Sequence, residues 1–323
     1  MLIWTYQHPT WLEQPGSNRF RRSWKPVLAV GDYQPSMIRV GRWLVYVGDG
    51  TSAIRDDLHG RPRKLWTKVL GQPGPFMPAA QPGHVWLVIR NQRPGGWRHP
   101  ERARLVSVPA GRPGPAVTIP TGYQLVAGTD RGLLVTAKFD GLQLWNPGSR
   151  PTPLPHSRDD GGTIGFAASP RLIAYGTGCG YPRSGRSQDD VGCPVLRVYN
   201  VQTRRLISIP APPGTLGWAA YEFNRVFAIA PGNEMIAATA ESRSGGPGLY
   251  VVRLDGARPR VKVVPDSPSL ALACVAWAPG GKWLFYSGPG SRLWAFQPAT
   301  GRVRSSNLPS CRLSGVMVAF HSG

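Results

Sequence analysis

Residues 275–303 read VAWAPGGKWLFYSGPGSRLWAFQPATGRV. A small-residue run, VAWA, stops at a Pro-Gly turn. A second run headed by an aromatic, WLFYS, follows at once and stops at Gly-Pro-Gly. A third, RLWAFQ, carries alternating apolar residues to the ATG turn, and RVRSSNLP begins a fourth. Strand-length runs bounded by Gly, Pro, Asn and Asp are the pattern of a meander of antiparallel hairpins.

The same order recurs along the chain. The first run returns as MIRVGR (37–42), PAAQPG (78–83), VAGTDR (126–131), FAASPR (166–171) and FAIAPG (227–232). Each is followed by a second run: RWLVYV (42–47), HVWLVI (84–89), GLLVTA (132–137), RLIAYG (171–176) and EMIAAT (234–239). The third run follows as SAIRDD (52–57), ARLVSV (103–108), LQLWNP (142–147), VLRVYN (195–200) and LYVVRL (249–254). A turn, often with Gly, and an outer run such as RRLISIP or RVKVVP close each copy. A four-stranded unit repeated every ~40 to 55 residues has the period of a propeller blade. One blade cannot bury both faces, so blades pack around an axis, and the crowded strands nearest that axis favour Ala and Gly.

The predicted fold is therefore all-β, a single β-propeller domain over residues 1–323. Near the C-terminus VAFHSG (318–323) repeats the VAWAPG pattern. Near the N-terminus LIWTYQ (2–7) suits a second strand and WKPVLAV (24–30) an outer one, so residues 1–30 are expected to enter the closing blade. Pairing the two ends hides sheet edges. Seven blades are expected, six within the chain and one closed by both termini. Six blades with an added C-terminal strand is the alternative. No amphipathic helix of useful length supports an α/β architecture.

The stretch WAPGGKWLFYSGPGSRLWAFQPATG resembles the repeat of TolB-like and WD40-like β-propellers through Trp277, Pro279, Gly281, Trp283 and Phe285. It departs from that repeat at Gly280, where the family pattern has Asp, and no copy has a Trp-Asp dipeptide. As a whole the chain also looks like propellers from GC-rich bacteria. The resemblance implies the fold; propellers host many unrelated functions, so it implies no activity.

The formal charge is +21, from 38 basic and 17 acidic residues. The lysines are Lys25, Lys64, Lys68, Lys138, Lys262 and Lys282; the remaining basic residues are arginines. With the abundant Gly and Pro this fits GC-rich codon usage and a solvated basic surface, and it also permits a polyanionic partner. No run of 18 apolar residues marks a transmembrane helix. The first residues lack the basic and apolar regions of a signal peptide. Cys179 and Cys193 bracket a polar loop between two apolar runs, where opposed strand ends allow a disulfide worth about 3 kcal/mol. An even cysteine count favours an oxidising, extracytoplasmic compartment, with a cytoplasmic location as the alternative. If the protein is exported, its natural start differs from the one shown or its signal has been removed. Cys274 and Cys311 have no obvious pairing.

Connections from second to third strands vary in length, whereas first-to-second and third-to-fourth turns are tight. Variable loops on a rigid scaffold carry binding. The 90–102 loop offers Arg90, Arg93, Arg98 and Arg102 with Trp97 as a stacking platform, a set able to grip phosphate, sulfate or carboxylate. The 179–193 loop adds Arg183 and Arg186. Asp189 and Asp190, with Asp159 and Asp160 on the preceding connection, form a candidate hard-cation site, or else pair with neighbouring arginines such as Arg158. Trp43, Trp86, Trp283 and Trp294 read as core between blades. No nucleophile elbow, zinc, P-loop or dinucleotide motif occurs, so no catalytic residue and no cofactor is expected. The reading is a monomeric, non-enzymatic binding scaffold for a protein or polymeric ligand. The alternatives are a polyanion binder acting through the Arg loops, nucleic acid included, and a propeller hydrolase or lyase.

Overall fold

The computed structural model describes residues 2–5, 9–12, 20–22, 37–48, 52–56, 63–66, 73–89, 101–137, 141–158, 166–177, 192–219, 227–242, 247–265, 267, 274–278, 280–287, 292–307 and 313–318. Among the described residues every regular element is a β-strand. The chain divides into two compact units, one of Met1–Lys25 with Pro155–Gly323 and one of Pro26–Leu154.

The chain opens with β1 (Leu2–Thr5), β2 (Pro9–Leu12) and β3 (Phe20–Arg22), paired in that order. The 26–154 unit then holds three antiparallel meanders. The first is β4 (Met37–Val40), β5 (Trp43–Gly48), β6 (Ser52–Asp56) and β7 (Arg63–Trp66). The second is β8 (Pro73–Pro78), β9 (His84–Ile89), β10 (Arg102–Ser107) and β11 (Arg112–Thr118). The third is β12 (Tyr123–Thr129), β13 (Gly132–Ala137), β14 (Gly141–Trp145) and β15 (Thr152–Pro153).

The other unit continues with β16 (Phe166–Ala168), β17 (Leu172–Thr177), the short β18 (Gly192–Cys193), β19 (Val195–Asn200) and β20 (Leu206–Pro210). Next come β21 (Thr215–Ala219), β22 (Phe227–Ile229), β23 (Met235–Ser242), β24 (Pro247–Arg253) and β25 (Arg260–Val263). The last are β26 (Cys274–Trp277), β27 (Leu284–Ser287), β28 (Arg292–Gln297), β29 (Arg302–Asn307) and β30 (Leu313–Val318). Strands β16, β17, β19 and β20 form one sheet and β26–β29 another. Between them lies a six-stranded sheet, in which β21 and β22 both pair with β23.

Burial explains the repeat. The second strand of each unit packs on both faces, so it is a continuous apolar run; β17 is buried along its whole length. The outer strand meets solvent, and all four residues of β25 are exposed. Cores lie between successive sheets. Leu172, Leu196 and Val198 meet Trp218, Phe227 and Ile236, and Ala237 and Val251 meet Trp277, Leu284 and Phe296. In the 26–154 unit, Val45 and Leu65 meet Phe76, Val85 and Leu87. The small residues of first strands answer to close approach there: a Cβ on Gly128 of β12 would lie 2.8 Å from Trp86 Nε1 and 3.0 Å from Ala80 N.

The chain ends do pair. β30 runs antiparallel to β1, with Leu2 opposite Val318 and Ile3 opposite Met317. The details differ from the sequence reading. The edge strand beside β1 is residues 313–318, so it ends where VAFHSG begins, and the outer strand is β3 at 20–22. Residues 24–30 and 319–323 lie outside the described residues. Trp86 and Trp294 join the cores between sheets, as the sequence suggested. Trp43 is only half-buried and lies beneath two guanidinium groups, Arg42 and Arg55, each 5.2 Å from its ring. Trp283 precedes β27 and lies 5.5 Å beneath the Arg304 guanidinium.

Candidate functional site

The connection from β17 to β19 does more than close a hairpin. Gly192 and Cys193 near its end leave their own sheet and form β18, which pairs antiparallel with β21 of the next one, Gly192 opposite Ala219 and Cys193 opposite Trp218. Two glycines make this contact. A Cβ on Gly192 would lie 2.7 Å from Gly217 Cα, and one on Gly217 would lie 2.5 Å from the Gly192 carbonyl carbon. No side chain fits between the two backbones.

Behind the contact, Cys193 and Trp218 are fully buried. Trp218 Nε1 donates to Ile209 O at 3.1 Å, and its ring meets Tyr250 edge-on, with centroids 5.9 Å apart. Cys193 is disulfide-bonded. Pro194 O accepts a hydrogen bond from Ala211 N at 2.9 Å. Beside this anchor, Arg197 Nε donates to Thr177 Oγ1 at 3.3 Å and its Nη1 to Ser208 Oγ. The loop thus leaves a rigid platform that spans two sheets. Sequence reading missed β21 because FAIAPG alone seemed to supply the first strand. The signal available was TLGWA (215–219), an apolar run with the same Gly-aromatic character.

Arg102, the first residue of β10, is exposed and paired in register with Ile89 and Thr118. Beside it Glu101 is buried, and its carbonyl accepts from Ile119 N at 2.8 Å. Arg90, Arg93, Trp97 and Arg98 lie outside the described residues, as do Cys179, Arg183, Arg186 and the four aspartates Asp159, Asp160, Asp189 and Asp190. Among the described residues no group of three or more His, Cys, Asp or Glu could hold a metal ion. No described helix is long and apolar enough to cross a membrane.

At the opposite end of the sheets the turns are tight and self-satisfied. His84 Nδ1 lies 2.9 Å from Pro82 O, and Ser169 Oγ meets Asn233 Oδ1 at 2.6 Å. Asp255 accepts from Arg253 at 2.9 Å and from Arg260 at 3.5 Å. Loss of hydration favours the neutral acid, but the Arg253 hydrogen bond and charge outweigh it, with Arg260 helping, and hold this carboxyl below its ordinary range. In the 26–154 unit the buried Arg55 donates to Val108 O and Pro109 O, tying β6 to the β10–β11 turn.

No family model and no curated protein matches this sequence. Solved structures do match its backbone. The Cps50 (Swd1) β-propeller domain of Myceliophteria thermophila aligns with TM-score 0.54 and 13% identity, over 87% of this chain and 89% of that one. The Pan2 WD40 domain of Neurospora crassa aligns with TM-score 0.53 and 12% identity, over 84% of this chain and 77% of that one. The computationally designed Ika8 protein aligns with TM-score 0.52 and 9% identity, over 96% of this chain and 87% of that one. The chain has a β-propeller fold like that of these domains. At such identities the likeness concerns the fold alone, and the propeller's role has to be argued from its own residues.

Proposed function

We propose that this propeller is a non-enzymatic interaction scaffold and that it docks a protein partner on the end of its sheets carrying the second-to-third strand connections. The observation that carries this reading is the β18–β21 clamp. It holds one leg of the 178–194 connection by backbone pairing, by a buried cysteine in a disulfide and by a glycine contact that admits no side chain. A loop anchored at one leg loses less conformational freedom on binding, which favours affinity.

The disulfide of Cys193 supports an oxidising, extracytoplasmic setting. Cys179 is the partner we assign to it, and non-reducing peptide mapping should recover the 179–193 pair. A map joining Cys193 to Cys274 or Cys311 refutes that pairing.

Replacing residues 180–191 by a short Gly-Ser turn tests the docking reading. Cross-linking in the native host should join a partner to the unaltered protein and not to the loop-exchanged one, while a variant altered in the 201–205 turn keeps it. A partner retained after loop exchange would overturn the assignment, as would turnover of a defined substrate by the isolated protein.

A further inference from the structure

The tight turns of the 155–323 unit carry a second, distinct surface. Arg171, Arg204, Arg205, Arg258, Lys282 and Arg302 are all exposed there, on turns at one end of three successive sheets. The described acids at that end are Glu234 and Asp255, and Asp255 is already engaged by Arg253 and Arg260. The three ends are contiguous. Ser169 of the first meets Asn233 of the second at 2.6 Å. Pro231 of the second lies 3.9 Å from a Cβ position on Gly281 of the third, and Lys262 Nζ lies 3.6 Å from the one on Gly301.

The chemistry narrows what such a surface holds. These six cations are exposed, so none of them is a walled-in group gripping a small anion. Among the described residues the exposed large apolar side chains are also elsewhere: Phe166 and Leu216 lie at the start of first strands at the opposite end, and Val261 and Val263 sit on the outer strand β25. Among the described residues the turns expose no large apolar side chain able to enter a bilayer. A spread of guanidinium groups over several turns suits a polymer with regularly repeated charge, and the planar fork of Arg matches phosphate oxygens. We propose that this tight-turn surface binds nucleic acid through its phosphate backbone, without sequence preference.

The site is separate from the β18–β21 end, so its test is separate too. A fluorescent mixed-sequence DNA duplex, titrated across a salt series, should bind with an affinity that falls linearly on a log–log plot. The Arg204→Gln/Arg258→Gln variant should lower that slope by about 2 and weaken binding about tenfold or more at moderate salt. Arg158→Gln/Arg292→Gln removes the same charge at the other end and should change affinity less than about twofold. In the unsubstituted protein, DNA should shield Arg204 and Arg258 from an arginine-modifying reagent and leave Arg158 and Arg292 reactive; this measurement does not depend on any variant folding. Exchange of residues 180–191 should leave DNA binding unchanged. Equal losses from both variants would overturn the proposal, as would absent duplex binding. So would tighter binding of anionic vesicles or of a sulfated polysaccharide to the same turns.

Discussion

Gly217 and Gly192 face each other so closely that a single methyl decides whether β18 can pair with β21. Gly217→Ala puts a carbon 2.5 Å from the Gly192 backbone. Overpacking of this kind costs about 1–3 kcal/mol. Chemical denaturation should show that loss, whereas Gly280→Ala, with nothing within 4 Å of the new carbon, should be nearly neutral. Trp218→Ala empties a fully buried site that also satisfies Ile209 O, and should cost about 3–5 kcal/mol. Neither residue stood out in the sequence. Gly192 ends the connection after β17 and Gly217 lies in β21, and no local pattern announces that their backbones will touch. By contrast, the Pro-Gly turn after Trp277 was legible, because it repeats in PAAQPG and FAIAPG.

The strands show the same division. Second and third strands were readable almost to the residue, since burial on both faces imposes an apolar run and half-burial an alternation. First strands were harder. In the six-stranded sheet the first strand is split into β21 and β22, separated by residues 220–226, and only the second half carries the repeated motif. β30 was misplaced for another reason. Composition at 318–323 matched the template, but register is set by pairing with β1, and strand 313–318 won that pairing. The candidate site was legible only as a long, cysteine-bounded loop; its anchorage depends on contacts distant in sequence. Outer strands depend on chemistry to stay unpaired. β11 carries Pro113 and Pro115, and β29 carries Arg302 and Arg304, which discourage edge-to-edge association. The turn between β24 and β25 has a pH signature. Asp255 is held below its ordinary range, so its stabilising contribution is complete above the usual Asp pKa and is lost as pH falls through its own, lower pKa. Denaturation midpoints of the unaltered protein and Asp255→Asn should differ at neutral pH and converge in that acidic window. A constant difference at all pH values would refute the ion-pair account.

For the whole molecule, the terminal sheet is the decisive element. It combines three strands from residues 2–22 with one from residues 313–318. Removing residues 1–22 leaves β30 with an unpaired edge beside β26, and the truncated protein should lose its cooperative thermal transition or aggregate. A truncation that melts like the full chain would show that the sheet contributes little. This closure was foreseeable in outline, because a ring of repeats favours hiding its edges, while its register was not.

The same sheet sets a timetable. β1, β2 and β3 are translated well before β30, the strand that completes their sheet. Between the synthesis of β3 and that of β30 the nascent protein therefore carries an orphaned three-stranded edge, the kind of template on which chains misassemble. Recruitment of a holdase to that edge, and a penalty for slow elongation of the last sheet, follow from the order in which the strands are made.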